Sequence, residues 1–322
     1  MEYRRLGRAG MKVSAVSLGA WLTYGGSVED EMAARCIHAA IEQGINFIDV
    51  ADVYARGRAE EVVGSVIREY KRSDLVISSK VFWPMSENVN DRGLSRKHIM
   101  ESVEKSLKRL GTDYLDIYFC HRFDPETPVE EVVRAMDDLV HQGKVLYWGT
   151  SVWSAAQIEE AVGTSRLYNC YLPQVEQPRY NMLDRHIEPE IMPTAAKHGL
   201  GLTVWSPLAQ GVLTGKYNEG IPEGSRLASG GQIAEWMKAD LTEENVAKVR
   251  QLTQIAQELG ITMAQLALAW ILRRPEISSV ITGASRPSQV ESNARAATIK
   301  LSPEVLERIE GILNNAPARP GM

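Results

Sequence analysis

INFIDVADVYARGRAEEVVGSVIREYKRSDLVISSK, the stretch from Ile45 to Lys80, is where the chain declares its fold. It opens with a short apolar run, residues 45–48, that stops at an acid, Asp49. Tyr54 follows five residues later, in a segment (51–57) too polar and irregular for a buried strand. From about residue 58 to 70, Val62, Val63, Val66 and Ile67 recur at spacings of three and four, which predicts a helix with one apolar face. A second apolar run, residues 75–79, stops at Lys80. The reading is strand, helix, strand, with an ionisable group at the C-terminal end of each strand. Parallel α/β proteins house their chemistry at those ends.

The alternation continues in both directions. Residues 3–13 read as a small hairpin turning through Gly7 to Gly10. A strand over 15–18 ends at Gly19, and a loop with Trp21 and Tyr24 leads to a helix over about 29–43, stopped by Gly44. Ser95 caps a helix whose face is Ile99, Val103, Leu107 and Leu110, and the strand over 114–120 ends at His121. Thr127-Pro128-Val129-Glu130 has the form of a capping box with proline at the first helical position. Strands over 145–149, 172–175 and 200–204 end at Thr150-Ser151, Glu176-Gln177 and Trp205-Ser206-Pro207, with helices between. A polar, glycine-rich passage over about 209–241 interrupts the rhythm. Helices over roughly 243–259 and 263–272 precede an eighth strand, 277–282, ending at Gly283-Ala284-Ser285. Helices over 287–297 and 303–313 follow.

Eight strands in strict alternation with helices, with no composition break, predict one (β/α)8 TIM-barrel domain over residues 1–322. It carries an N-terminal β-hairpin and a long loop after the seventh barrel strand. A doubly wound sheet would want a G-x-G-x-x-G turn; the nearest approach, Gly199-Leu200-Gly201, breaks off at Val204. The piece 211–217, GVLTGKY, is one residue short of a P-loop and lacks Ser or Thr after Lys216.

The bulk composition narrows the function classes. A net charge of −5 over 322 residues, with only isolated basic pairs, gives no support to nucleic-acid binding. No run reaches the ~18 apolar residues of a membrane span, and the first residues, MEYRRLGRAGMKV, hold no signal-like apolar segment. Cys36, Cys120 and Cys170 lack C-x-x-C spacing, as expected of a reduced cytoplasmic protein. The six histidines show no metal-ligand spacing, so no metal is expected, and G-x-S-x-G is absent.

In a barrel, consecutive strand ends are neighbours on one rim. Asp49, Lys80 and His121 therefore converge, with Tyr54 reaching in from the loop between the first two. Singly, each has a plainer reading: a structural ion pair, a packed loop ring, a core histidine. Together they suit general acid catalysis on a carbonyl. Tyrosine, ordinarily titrating near ~10, is protonated at neutral pH and can donate to a developing alkoxide. A nearby ammonium should lower its pKa, by an interaction on the order of 4 kcal/mol at ~4 Å before desolvation. Asp49 would hold the lysine charged, and His121 would position the carbonyl oxygen. Asp52 is a competing acid, placed in the loop rather than at the strand end.

INFIDVADVYARGRAEEVVG, VISSKVFW, LDIYFCHRFDP, YWGTSVWS, VWSPLAQGVLTGKY and SSVITGAS together resemble the aldo-keto reductases, across essentially the whole chain. GLSRKHI, DPETPVEEVVRAM, YWGTSVWS and GVLTGKY are similar to the branch containing the voltage-gated potassium channel β-subunits. The resemblance implies a catalytic tetrad of Asp49, Tyr54, Lys80 and His121. The channel-subunit branch often carries asparagine at the histidine position, so His121 tilts the reading toward a working enzyme. It implies reduction of aldehydes and ketones by NADPH, with NADH less favoured, and a cofactor held extended across the barrel mouth. Ser151 and Gln177 would meet the carboxamide and Trp205 would stack on the nicotinamide. Val152 departs from the polar residue common at its place. Ser206, Pro207, Leu208, Gln210, Gly211 and Leu213 would line the pyrophosphate, with Lys216 and Arg226 nearby in the long loop. Gly283, Ser285, Gln289 and Asn293 would meet the adenosine end, and Arg286 could face a 2′-phosphate. Trp21, Tyr24 and Trp83 would form an aromatic substrate pocket. The competing expectation is a cofactor-binding regulatory subunit that docks on a membrane channel with little turnover. That branch forms tetramers, which extends the expectation to a homo-oligomer.

Overall fold

The protein is described by a computed structural model over residues 1–21, 24–26, 28–222 and 239–318. Two short strands, β1 (Tyr3–Arg5) and β2 (Lys12–Ser14), pair antiparallel as a hairpin. Eight parallel strands then close into a barrel: β3 (Val16–Gly19), β4 (Phe47–Asp49), β5 (Val76–Val81), β6 (Leu115–Cys120), β7 (Val145–Thr150), β8 (Val175–Glu176), β9 (Gly201–Val204) and β10 (Ile277–Thr282). They neighbour one another in chain order, and β10 pairs with both β9 and β3 to complete the ring. The chain thus has the (β/α)8 architecture expected of it.

Helices fill the crossovers: α1 (Asp30–Glu42), α2 (Arg58–Ile67), α3 (Arg96–Leu110), α4 (Val129–His141), α5 (Ala155–Leu167), α6 (Ile191–His198), α7 (Glu243–Glu258), α8 (Met263–Leu272), α9 (Pro287–Arg295) and α10 (Pro303–Leu313). Each barrel strand is covered on its outer side by helices, so its sequence reads as an almost unbroken apolar or small-residue run; β5, β6 and β10 are buried at every position. No single helix among the described residues is long and apolar enough to cross a membrane.

Two apolar bodies result among the described residues. The larger lies between barrel and helices. The smaller fills the barrel itself: Phe47, Val76, Ile117, Phe119 and Val175 from the strands meet Leu6, Ala9 and Val13 of the hairpin, which plugs the N-terminal end. Burying each of these larger side chains contributes roughly 1.5–3 kcal/mol before entropy is counted. With the bottom plugged and apolar, the polar residues further along the same strands face the opposite, C-terminal mouth.

Three local expectations are corrected. The Thr127 capping box does not form: α4 begins at Val129 after Pro128, and Thr127 Oγ1 donates instead to Asp124 Oδ2 at 2.8 Å. Asp124 wins because it also accepts from the backbone N–H of Leu94 (2.7 Å) and Glu126 (3.0 Å), tying the loops after β5 and β6 together. The sixth barrel strand is Val175–Glu176 rather than 172–175, since Pro173 has no N–H for the ladder. The helix after Tyr54 stops at Ile67; Tyr70 lies beyond it, its hydroxyl 2.5 Å from His38 Nδ1.

Candidate active site

Strand geometry explains which side chains meet at the mouth. Residues two apart on a strand share a face. Phe47, Val76, Ile117, Phe119 and Val175 point into the barrel. Two or four residues further along the same chain direction stand Asp49, Ser78, Lys80, His121 and Gln177. The register sets them side by side, with Asp49 opposite Ser78 and Lys80 opposite Phe119. One alternation rule therefore gives both the apolar plug and the polar cluster above it.

The Lys80 side chain is fully buried, and its Nζ donates to Asp49 Oδ2 (2.6 Å), the Val50 carbonyl (2.9 Å) and Tyr54 Oη (3.2 Å). All three ammonium protons have acceptors. Asp49 also accepts from Ser78 Oγ (2.7 Å) and Gln177 Nε2 (3.0 Å). A buried charge this well paired is tolerated where a lone one is not. Burial alone would lower the Lys80 pKa, but Asp49 and Tyr54 hold it above the usual lysine value. For Tyr54 the balance corrects the sequence expectation. Burial raises its pKa more than the Lys80 charge lowers it, so the net direction is upward and the phenol stays protonated at neutral pH. His121 packs edge-on to Tyr54, ring centres 5.8 Å apart. Burial, then Lys80 and Arg122, hold its pKa well below the usual imidazole value, so the ring is neutral. Its buried Nδ1 has no hydrogen-bond partner among the described residues.

Tyr54 is delivered by a strained turn. Ala55, Arg56 and Gly57 have φ of 48°, 52° and 90°, three left-handed residues in succession. Only glycine adopts that region without cost, so neighbours must impose it on the other two. A Cβ on Gly57 would lie 2.8 Å from the Arg109 side chain, which shows how closely α3 presses on the turn. Behind it, Arg109 Nε donates to Glu60 Oε2 (2.6 Å), Ser79 Oγ to Glu60 Oε1 (2.6 Å) and Ser102 Oγ to Asp52 Oδ2 (2.9 Å). Burial, then the nearby Glu60 charge, push the Asp52 carboxyl up to about 7. Asp52 thus braces the turn from the side of α3 rather than joining the group at the mouth.

Around the rim, Trp83 packs edge-on to His121 with ring centres 6.3 Å apart, and Trp21 packs edge-on to Trp205 at 6.2 Å. Tyr24 departs from the expected pocket: it is 1 % exposed, sits in the core cluster and lies against Cys36 of α1. Two rim groups escaped the sequence reading. Arg122, one residue past His121, sets its guanidinium over the Trp83 ring at 5.5 Å. Glu176, fully buried, accepts from Thr150 Oγ1 (2.5 Å) and the Trp153 N–H (3.3 Å), with the Val152 N–H also bonded to it. It thereby holds the turn after β7, where Val152 is forced to φ 59°.

Burial pushes the Glu176 carboxyl from its ordinary 4.5 up to about 7. The folded protein therefore binds a proton the unfolded chain has released between those two values. This group's stabilisation is full below pH 4.5 and lost as pH rises to about 7, on the order of 3 kcal/mol. The unfolding free energy of wild type minus that of Glu176→Gln, measured in urea from pH 4.5 to 8, is expected to fall across that window and level off above it. A pH-independent difference would refute the assignment.

The residues expected to hold the cofactor occupy an arc from β7 to β10. Ser151 Oγ donates to the Gln177 carbonyl at 2.9 Å, joining the first two. After β9, Ser206, Ala209, Gln210 and Gly211 have φ of 51°, 45°, 56° and 104°, and Gln210 Nε2 donates to Ser206 Oγ at 2.5 Å. Left-handed residues mixed into a tight turn aim successive N–H groups to one side, a concavity suited to phosphate. Pro207 and Leu213 are buried and Leu208 is partly so, while Ser206, Gln210 and Gly211 are partly exposed. The Lys216 ammonium lies 4.9 Å from the Tyr217 ring centre. Arg226 lies outside the described residues. After β10, Gly283, Ser285 and Arg286 are exposed at the start of α9, and Gln289 Oε1 accepts from Ser285 N (2.8 Å) and Oγ (3.2 Å). Asn293, on the same helix, is 5 % exposed. The left-handed turn after β9 and the exposed start of α9 offer backbone N–H and polar groups of the kind a phosphate-bearing ligand needs. No cluster of metal-ligating side chains occurs among the described residues.

Comparison with known proteins agrees with this architecture. Residues 15–314 match the model of the aldo/keto reductase family. A probable voltage-gated potassium channel subunit beta of Arabidopsis thaliana is 49 % identical over 326 residues, spanning 99 % of both chains. A protein of the same description from Oryza sativa subsp. japonica is 47 % identical, spanning 99 % of this chain and 98 % of its own. A putative voltage-gated potassium channel subunit beta of Schizosaccharomyces pombe is also 47 % identical, spanning 98 % and 94 %. The chain belongs to the aldo/keto reductase family.

Proposed function

We propose that this protein reduces aldehydes and ketones to alcohols with NADPH, Tyr54 giving the proton. Family membership supports nicotinamide-dependent carbonyl reduction in general. The observation that carries the finer reading is the Tyr54 hydroxyl held 3.2 Å from a buried ammonium that Asp49 locks in place. The cofactor, when bound, supplies the hydride. A carbonyl whose oxygen lies against Tyr54 becomes an alkoxide as its carbon accepts that hydride and the C=O π pair moves onto the oxygen, and the phenol proton is the nearest acid for it. Lys80 then stabilises the tyrosinate left behind, at closer range than any solvent cation could. Neutral His121 cannot be the proton source; its ring adds a hydrogen bond to the oxygen and a wall beside Tyr54. Ser151 and Gln177 would orient the nicotinamide carboxamide, and Trp205 its ring. The left-handed turn after β9 would take the diphosphate. The exposed Arg286 gives a 2′-phosphate a cation, which favours NADPH over NADH.

The names of the relatives favour a second reading, a subunit of a membrane channel, which would bind the cofactor with little turnover. NADPH consumption with 4-nitrobenzaldehyde and methylglyoxal separates the two. Many turnovers per protein molecule are expected. A single reduction by pre-bound cofactor would favour the subunit, and no NADPH binding at all would remove both.

A further inference from the structure

Arg122 is a half-buried cation whose counter-ion the described residues do not supply. Other arginines withdrawn from solvent have carboxylates in contact: Arg72 with Asp116 (2.7 Å), Arg109 with Glu60 (2.6 Å), Arg179 with Asp240 (2.5 Å) and Arg185 with Glu188 (2.9 Å). Arg122 has the carbonyl of His121 and the face of Trp83, and no carboxylate within ion-pair distance among the described residues. Glu176 feels its charge from further off, but that carboxylate is already committed to Thr150 and to the N–H groups of Val152 and Trp153. Leaving a guanidinium partly desolvated and unpaired costs stability. A group kept there at that cost is poised for a ligand.

The anion it awaits is not the cofactor's diphosphate. Arg122 follows β6, whereas the left-handed turn and the start of α9 follow β9 and β10, three and four strands away around the ring. What lies beside Arg122 is the Tyr54–His121–Trp83 corner, where the carbonyl must sit. We propose, building on the reductase reading, that Arg122 is a specificity residue forming an anion subsite for carbonyl substrates that carry a carboxylate. Its planar fork matches a carboxylate in two-point contact, and Trp83 provides a flat wall for the part of the substrate between the two groups.

Paired probes test this: 4-carboxybenzaldehyde and its neutral near-isostere 4-formylbenzamide. For wild type, kcat/KM should favour the acid by at least about tenfold, the weight of one hydrogen-bonded charge pair. In Arg122→Gln the ratio should collapse toward one, and Arg122→Lys should restore only part of it, having charge but no fork. Raising salt should raise KM for the acid and leave that for the amide unmoved. If Arg122 instead merely tunes the acidity of Tyr54, its loss slows both aldehydes alike and the ratio survives, which overturns the subsite. Equal rates for acid and amide in wild type overturn it too, while leaving the reductase standing. No turnover of either aldehyde removes the reductase reading and this inference with it.

Discussion

Tyr54→Phe is expected to lower kcat for aldehyde reduction by about 10²–10⁴-fold, the range for loss of a positioned proton donor, with NADPH affinity unchanged. The substitution removes one oxygen and little else. The ring keeps its edge contact with His121 and its place 4.8 Å from the Lys80 ammonium. Lys80 loses one of three acceptors but retains Asp49 and the Val50 carbonyl, so folding should hardly change. The proposed cofactor arc follows other strands, β7 to β10, and does not include this hydroxyl. Binding measured by quenching of tryptophan fluorescence, set against steady-state turnover, isolates the chemical step. A variant retaining more than a tenth of wild-type kcat would mean that another group delivers the proton. His121, held neutral, offers no ready alternative.

The sequence revealed the barrel and the four-residue cluster for one reason: both are written in strand periodicity. Apolar runs that stop at Asp49, Lys80 and His121 announce strands buried on both faces and also place those residues at the mouth. Ser78 was legible by the same rule, two residues before Lys80, but a lone serine carries no chemical signal. What stayed hidden depends on distance between remote segments. Thr127 looks like a cap until Asp124 is seen to collect its hydroxyl and two backbone donors. Tyr24 reads as a pocket residue until α1 closes over it. The direction of the Tyr54 shift needs the balance between burial and Lys80, and no spacing states a burial. Arg122 was least legible of all, because its interest lies in having no carboxylate partner among the described residues. Asp52 illustrates the converse: a competing acid by sequence, it proves to be a buried brace of the turn carrying Tyr54, as does Glu60 beside it.

Lys80→Met separates the structural from the chemical role of the buried pair. Removing the ammonium leaves Asp49, itself 3 % exposed, with side-chain donors only from Ser78 and Gln177 among the described residues. Breaking a buried ion pair from one side typically costs about 3–5 kcal/mol, and the two remaining donors place this case near the lower end. Activity should fall further than stability alone explains, since the tyrosinate formed in the reaction loses the cation beside it. Adding Asp49→Asn removes the stranded charge as well. The double variant should therefore regain most of the lost stability, a coupling readable from urea unfolding of all four proteins in the cycle, and should remain inactive. If instead Lys80→Met alone were as stable as wild type, the carboxylate would have found another counter-charge or taken up a proton. If the double variant recovered turnover along with stability, the ammonium would be a prop for the barrel mouth, and the assistance to Tyr54 would have to come from somewhere else.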